Sequence, residues 1–308
     1  ATGETITYAQ LDERSTRPAH YLRGLGLVPG DHLAVVATND IKVLEVYWGA
    51  LRSGLYITAV NHHLTADEVN YILDDCGAKV LFASADCAAA VSKSDEVAGI
   101  DHRIAWGGPI PGFEDYDQVM AAASNAPLAD QPRGVDMLYS SGTTGRPKGI
   151  KLELPGTQIG EEPDRFTAIF APLYGFDADT VYLSPAPLYH AAPLRYCGTV
   201  NSVGGTLVMM DHFDAEQALA LIDEYRVTHS QWVPTMFIRM LKLPKDIRDK
   251  YDVSSMKCAI HAAAPCPAEV KRQMIEWWGP VIQEYYASTE SAGATFISAV
   301  EALERPGS

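Results

Sequence analysis

The chain has 308 residues, of which 47% are hydrophobic and 20% charged, so it can bury more than one core and should form two compact units. Its formal net charge of −15 argues against a nucleic-acid or anionic-membrane partner, because both require clustered lysine and arginine. No apolar run approaches the roughly 20 residues of a membrane helix, and the N-terminus lacks a signal-peptide pattern. We therefore predict a cytoplasmic protein.

Cysteine and histidine give little reason to expect a metal or disulfide site. The five cysteines are odd in number and never form C-x-x-C, so neither a disulfide framework nor a zinc site is indicated. His62 and His63 are adjacent, but neighbouring side chains diverge on any regular element and no third ligand follows at a diagnostic spacing. We expect the cysteines to be small buried hydrophobic residues.

Helices and strands alternate in chain order. Residues 31–38, DHLAVVAT, predict a strand that leads into a helix over residues 40–54. In the next segment Thr65 and Glu68 have the spacing of a capping box, and Gly77 is placed to end that helix before another strand.

Two later segments repeat this order of helix, stop signal and strand. Asp214 is placed to cap a helix and Gln217 to close its capping box, while Pro267 suits the first turn of a helix that Gly279 ends. Each of these helices leads into a short apolar segment typical of a buried strand.

This alternation predicts an α/β fold with two stacked α/β subdomains, in which mostly parallel sheets are flanked by helices. We assign residues 1–150 to the first subdomain and residues 181–308 to the second. Residues 151–180 are acidic, contain proline and glycine, and show no sustained period, so we predict a variable connecting segment there.

Residues 139–149, YSSGTTGRPKG, combine three glycines, one lysine and several hydroxyl side chains. Glycines let successive backbone N–H groups point into one concavity, and hydroxyls and a lysine add donors that suit phosphate. The glycine spacing and the proline before Lys148 differ from a Walker A loop. The alternative is a flexible connector, which would not need Pro-Lys-Gly at one place. The loop follows an apolar segment, where ligands bind in parallel sheets.

Three further motifs follow in order: PAPLYHAAP at 185–193, HAAAPCP at 261–267 and YASTE at 286–290. Together with the loop at 139–149, they resemble the adenylate-forming superfamily of acyl-CoA synthetases, luciferases and peptide-synthetase adenylation domains. The chain is most similar to a bacterial fatty acyl-CoA synthetase, and the resemblance covers nearly its whole length. The fold it implies is the N-terminal domain of such an enzyme.

The resemblance implies a two-step reaction. A carboxylate is joined to AMP with loss of pyrophosphate, and the acyl group then passes to the thiol of coenzyme A. It therefore implies ATP, Mg²⁺ and coenzyme A as cofactors or cosubstrates, a small carboxylic acid with an apolar acyl chain as substrate, and a place in fatty acid metabolism. It implies no nucleic-acid partner and no integral membrane span, and it leaves a homodimer open.

The resemblance also implies residue roles. Thr289 would donate to the α-phosphate and Glu290 would hold Mg²⁺, whose preference for hard oxygen ligands suits a carboxylate. Tyr286 would lie against adenine, with Ala264 and Pro265 at the border of that pocket. The β and γ phosphates would be cradled by Ser140, Ser141, Gly142, Thr143, Thr144, Gly145 and Lys148.

His190 matches the family histidine near the acid site, and with Thr289, Glu290 and Lys148 it completes the implied catalytic set. A lone histidine is more often a satisfied surface or core residue, so the motif around it carries this assignment. Glu290 could also be an ordinary carboxylate at a helix start, and both readings can be true together.

The acid pocket is less defined. Peptide-synthetase domains carry an aspartate for the substrate ammonium at the level of Tyr189-His190, and because a buried unpaired ammonium is costly, an amino-acid substrate is disfavoured. Trp232, Val233 and Phe237, with Met236, would suit an apolar acyl chain, but the same residues suit an ordinary core.

The chain departs from the family pattern at three places. Ala287 and the pair Ala262-Ala263 stand where glycine is frequent, which matters if φ is positive there. The chain also ends within ERPGS, which resembles the start of a family motif. We therefore expect a fragment that lacks the C-terminal domain and its catalytic lysine. We expect this fragment by itself to adenylate poorly. A nucleotide- or acyl-binding pseudoenzyme and a luciferase-like, CoA-independent adenylating enzyme are the alternatives.

Overall fold

The computed structural model describes residues 3–140, 146–287 and 293–305. They divide into two compact units. The first contains the described residues up to Glu162 together with Leu188–His190, and the second contains Pro163–Pro187 and the described residues from Ala191 onward. The segment 151–180 therefore contributes to both units, and its second half carries a helix.

The first unit is built on a seven-stranded sheet. Its strands are β1 (His32–Val36), β2 (Tyr56–Ala59), β3 (Ala78–Ser84), β4 (His102–Trp106), β5 (Glu114–Asp115), β6 (Val135–Ser140) and β7 (Lys148–Lys151). Its helices are α1 (Tyr8–Gly24), α2 (Ile41–Leu51), α3 (Ala66–Asp75) and α4 (Tyr116–Ala122). The strand order is β5-β4-β3-β1-β2-β6-β7, parallel throughout except between β6 and β7.

The second unit has a six-stranded sheet in the order β13-β12-β11-β10-β8-β9. Its strands are β8 (Val181–Ser184), β9 (Thr206–Met209), β10 (His229–Trp232), β11 (Cys258–His261), β12 (Ile282–Ala287) and β13 (Ala294–Ser298). Its helices are α5 (Arg165–Tyr174), α6 (Ala191–Ser202), α7 (Ala215–Tyr225), α8 (Pro234–Leu241), α9 (Lys245–Arg248), α10 (Ala268–Trp278) and α11 (Ala299–Glu304). All pairs are parallel except β12 with β13. The predicted fold class of mostly parallel sheets flanked by helices is confirmed.

The local signals act mostly as expected. The Thr65 and Glu68 side chains form the full capping box of α3, and Gly77 follows the helix at φ +65°. At α7, the Asp214 side chain accepts from the Gln217 N–H. The second hydrogen bond of the predicted box, from the Asp214 N–H to the Gln217 side chain, is not formed.

The order of the first sheet sets the place where a ligand can bind. From β1 the chain continues to β2 on one side, and from β3 it continues to β4 on the other. The carboxyl ends of β1 and β3 therefore border a topological switch point, the usual ligand crevice of open α/β sheets.

The core of the second unit lies around Trp232, Phe237 and Trp278, whose rings contact one another. Trp232 and Phe237 are fully buried, and Met236 and Val233 pack in the same cluster. The side chains that could suit an acyl chain thus belong to a packed core. Within the described ranges, no helix is long and apolar enough to cross a membrane.

Candidate functional site: the glycine-rich hairpin and the carboxyl ends of the strands

The glycine-rich segment connects the two antiparallel strands of a hairpin. Ser140, the last residue of β6, is the cross-strand partner of Lys148, the first residue of β7. Lys148 is exposed and Ser140 is half-buried. Ser141, Gly142, Thr143, Thr144 and Gly145 lie outside the described residues. The hairpin therefore brings together the two described ends of the predicted phosphate loop.

Helix α3 anchors this hairpin at β6 and at the two residues directly before β7. The Tyr71 hydroxyl donates to the Pro147 carbonyl over 3.3 Å, and the Arg146 guanidinium lies 5.0 Å from the centre of the Tyr71 ring. The Tyr139 hydroxyl donates to the Asp75 carboxylate, and burial together with this bond raises the pKa of Tyr139. The anchoring residues were missed at the level of sequence, because nothing in the pattern of α3 indicates a partner 76 residues away.

Gly149 is required by packing rather than by backbone conformation. A Cβ at this position would lie 2.9 Å from the Tyr139 ring and would also clash with Met137. The glycine after Lys148 therefore lets β7 pass close to the β6 side chains that hold the hairpin.

His190 lies directly before α6 in a segment that belongs to the first unit. The Leu188 N–H donates to the Asn39 side-chain oxygen over 2.8 Å, and the Tyr189 ring lies 4.5 Å from the His190 ring. His190 keeps contact with solvent, yet burial by the surrounding protein lowers its pKa below the usual 6.5. Its imidazole is therefore mainly neutral near pH 7 and can offer one donor and one acceptor.

The loop after β11 and the end of β12 lie at one edge of the second sheet. These strands are parallel neighbours, with His261 opposite Glu284. Ala264 and Pro265 are exposed in the loop that follows β11, and Tyr286 near the end of β12 is 80% exposed. The structure thus brings the three predicted adenine-pocket residues to the same edge. Thr289 and Glu290 lie outside the described residues.

The glycine-to-alanine departures have different backbone environments. Ala263 has φ +74°, the left-handed region that favours glycine. Ala262 does not adopt a positive φ, and Ala287 lies in β12 opposite Ala294. The alanine thus opposes the backbone preference at one of the three positions.

A partly buried ion pair and a fully buried histidine lie near this edge. A cavity of about 340 Å³ is lined partly by Lys271 and Glu284, which form an ion pair. His261 is fully buried, with Nε2 3.9 Å from Glu284 Oε2, and its pKa falls to about 4, mainly because burial disfavours the charged ring. Burial also raises the pKa of the Cys266 thiol to about 11. Sequence reasoning missed this group, since burial alone distinguishes His261 from a surface histidine.

A family model described as AMP-binding enzyme matches residues 1–308. The chain belongs to this family. Among its curated relatives are a feruloyl-CoA synthase from Amycolatopsis sp, 29% identical over 99% of this chain and 59% of the relative, and the long-chain-fatty-acid–CoA ligase FadD13 from Mycobacterium tuberculosis, 28% identical over 100% and 60%. The chain thus spans about 60% of the length of these curated relatives.

Solved structures agree with this membership. The inhibitor-bound N-terminal domain of FACL13 from Mycobacterium tuberculosis matches with a TM-score of 0.82 and 26% identity, over 98% of this chain and 74% of that one. ATP-bound MatB from Rhodopseudomonas palustris matches with a TM-score of 0.80 and 25% identity, over 97% and 58%. This AMP-binding family member therefore has the fold of an N-terminal domain of adenylate-forming acyl-CoA ligases.

Metal binding in this AMP-binding family member was expected at Glu290, which the structure does not describe. In the part of the chain that it does describe, no group of three or more His, Cys, Asp or Glu side chains could hold a metal ion. Lys148, the first residue of β7, lies beside the predicted phosphate loop and carries a cationic side chain. The roles of Lys148 in phosphate binding and of Glu290 in Mg²⁺ binding therefore stay predictions.

Proposed function

We propose that the chain is the ATP- and carboxylate-binding part of an AMP-forming acid–thiol ligase. The observation that supports this most is the hairpin that sets Ser140 opposite Lys148 across a glycine-rich loop, in a member of the AMP-binding family. A lysine and several hydroxyls at the end of two strands suit polyphosphate.

In this proposal, ATP binds with its β and γ phosphates in the loop from Ser140 to Lys148. The lysine neutralises negative charge on the phosphates, and the hydroxyls donate hydrogen bonds to phosphate oxygens. The carboxylate of the acid attacks the α-phosphorus, an acyl–phosphate bond forms, and pyrophosphate leaves with the electron pair of the broken bond. Thr289 would donate to the α-phosphate, and binding of both reactants in line lowers the entropy cost of the attack.

Glu290 would hold Mg²⁺, which when bound supplies positive charge to the phosphate oxygens.

Other residues are proposed to orient the carboxylic acid and the adenine. His190, with a neutral ring, would lie beside the carboxylate, while Tyr286, Ala264 and Pro265 would enclose adenine at the edge of the second sheet.

The second half-reaction is proposed from the relatives. Feruloyl-CoA synthase and FadD13 are named for transfer to coenzyme A, and a relative from Streptomyces coeruleorubidus, ScoC, is named as a fatty acid–acyl-carrier-protein ligase. We propose coenzyme A as the thiol, with an apolar acid as the acyl donor, because Tyr189-His190 offers no carboxylate for a substrate ammonium.

The test is carboxylate-dependent exchange between ATP and pyrophosphate in the full-length protein, with short, medium and long fatty acids and aromatic acids. We expect exchange with apolar acids, its loss on addition of EDTA, and a loss of at least about 100-fold in Glu290→Ala. Glu304→Ala, at the exposed end of α11, is the matched control and should exchange normally.

Two outcomes would contradict parts of this proposal. ATP binding without exchange for any acid would identify a nucleotide-binding pseudoenzyme. Exchange without formation of acyl-CoA, when coenzyme A is supplied, would identify a CoA-independent adenylating enzyme.

A further inference from the structure

The segment Leu188–His190 is held by two loops of the first sheet. Its neighbours on both sides, up to Pro187 and from Ala191, belong to the second unit, whereas these three residues belong to the first. The conformation of this segment therefore depends on the loops of the first unit that contact Leu188 and Tyr189.

The first of these loops follows β1. The Asn39 side-chain oxygen accepts a hydrogen bond from the Leu188 N–H over 2.8 Å. In the same loop, the Thr38 N–H donates to the hydroxyl of Ser84 at the end of β3 over 3.3 Å. These bonds place the segment beside the carboxyl ends of β1 and β3, the switch point of the first sheet.

The second loop follows β2 and carries His62. The Nδ1 of His62 lies 3.1 Å from the Ala37 carbonyl oxygen, and because a carbonyl only accepts, Nδ1 carries the proton in this bond. This hydrogen bond fixes the tautomer of His62. It also fixes the plane of the ring, because rotation about the Cβ–Cγ bond would move Nδ1 away from the carbonyl oxygen.

The fixed His62 ring contacts Tyr189 edge-on, with ring centres 5.2 Å apart and planes at 83°. Tyr189 in turn lies 4.5 Å from His190, with the planes at 56°. These separations are typical of favourable contacts between flat rings. A continuous series of contacts thus runs from the Ala37 carbonyl through His62 and Tyr189 to the His190 ring.

We propose that His62 is a positioning residue that orients His190 through Tyr189, while Asn39 fixes the backbone of the same segment. The inference rests on the proposed function, in which His190 lies beside the substrate carboxylate. Orientation matters there because a misplacement of about 1 Å in a catalytic site can cost about 100-fold in rate. His62 is half-buried, and its ring contacts Tyr189 of this segment.

The kinetic test uses the full-length protein and ATP–pyrophosphate exchange with its best acid. His62→Ala should lower kcat/KM for the carboxylate about 10-fold or more, with KM for ATP unchanged. His62→Phe keeps a flat ring against Tyr189 and should restore most of the loss. His212→Ala, which removes an exposed histidine of the second unit, is the control and should match the parent protein.

Three kinetic results would overturn the proposal. Normal carboxylate kinetics in His62→Ala would show that His62 has no positioning role. An equal loss of kcat/KM for ATP and for the carboxylate, with a lower thermal midpoint, would assign His62 to stability alone. A loss of kcat/KM in His62→Phe as large as in His62→Ala would exclude the ring contact as the cause.

A second readout separates this proposal from the proposed function. The imidazole resonances of His190, assigned by NMR with His190→Gln, report the position of the Tyr189 ring without any catalysis. They should shift in His62→Ala and stay in place in His212→Ala. An unchanged His190 signal in His62→Ala refutes the positioning role, whereas a shifted signal in a protein that exchanges with no acid refutes the proposed function alone.

Discussion

Ala263 shows at a single residue how a backbone angle can oppose a side chain. Its φ of +74° costs an L-amino acid about 1 kcal/mol relative to glycine, because Cβ approaches the following carbonyl. The loop after β11 nevertheless adopts this conformation, which carries Ala264 and Pro265 to the exposed edge of the second sheet. The surrounding loop therefore determines the angle despite the methyl group.

We predict that Ala263→Gly stabilises the protein by up to about 1 kcal/mol, since relief of the left-handed strain outweighs the added flexibility of the unfolded chain. Ala262→Gly is the matched control, because the adjacent alanine is buried and does not have positive φ. It should destabilise the protein. Urea unfolding measures both, and equal effects of the two substitutions would contradict the argument.

Lys148 and Lys151 lie at opposite ends of β7, so substitution of Lys148 can be compared with a matched control at Lys151. Lys148→Ala in the full-length protein should raise KM for ATP about 10-fold or more, because a charged contact to phosphate is lost. Lys151→Ala should leave that KM unchanged and lower the thermal midpoint, because Lys151 Nζ lies 2.9 Å from His32 Nε2 and 4.5 Å from the centre of the Tyr56 ring. Equal KM values for ATP in both variants would exclude Lys148 from the phosphate site.

At the scale of elements, the packing of α1 on α2 depends on a glycine. A Cβ at Gly49 would lie 2.7 Å from the Pro18 side chain and 3.1 Å from the Ser15 carbonyl oxygen. The guanidinium of Arg52, directly after α2, also donates to the Asp12 carbonyl and the Thr16 hydroxyl of α1. The side-chain pattern of α2 predicted the helix, but its closest approach to α1 lies at the residue without a side chain.

We predict that Gly49→Ala destabilises the protein by about 1–2 kcal/mol, because the added methyl group meets backbone of α1 and the helices must separate. Gly24→Ala is the control. Gly24 ends α1, and a methyl group added there would meet no atom within 4 Å beyond the adjacent residues and the local helix backbone, so helix propensity alone should make this change neutral or slightly stabilising. If both variants unfold at the same urea concentration, the close approach has no energetic weight.

At the scale of the whole molecule, each unit buries a histidine in the neutral state. In the first unit the pKa of His32 is lowered to about 4 by burial and by the nearby Lys151. In the second unit the pKa of His261 is lowered to about 4 by burial and by Lys271, and Glu284 opposes this shift. Both pKa values lie below the ordinary 6.5. Between about pH 6.5 and pH 4 the unfolded chain therefore binds more protons than the folded protein, and acid favours unfolding.

We predict that the free energy of unfolding falls as pH is lowered from about 6.5 towards 4, and that His261 alone contributes about 2 kcal/mol between pH 7 and pH 5. His261→Leu should reduce this loss, because leucine does not titrate. Urea unfolding at the two pH values measures it. A pH dependence in His261→Leu as steep as in the parent protein would show that His261 is not held neutral.

The sequence alone determined the fold class and the order of elements. Capping residues, glycine stops and apolar periodicity act within a few residues, so α3 with its Thr65–Glu68 box and the strand that follows could be predicted locally. The motifs at 139–149, 185–193, 261–267 and 286–290 also indicated the AMP-binding family, because residue order and spacing are properties of the chain.

Only the tertiary structure decided which distant residues support those motifs. Tyr71 anchors the hairpin at Pro147, Asn39 holds Leu188, and His261 faces Glu284. The register of β11 and β12 pairs His261 with Glu284, whereas the other two hydrogen bonds join a helix or a loop to a residue distant in the sequence. A single sequence encodes none of these contacts locally. The positive φ of Ala263 and the neutral state of His261 likewise follow from packing and burial, which arise when the strands assemble.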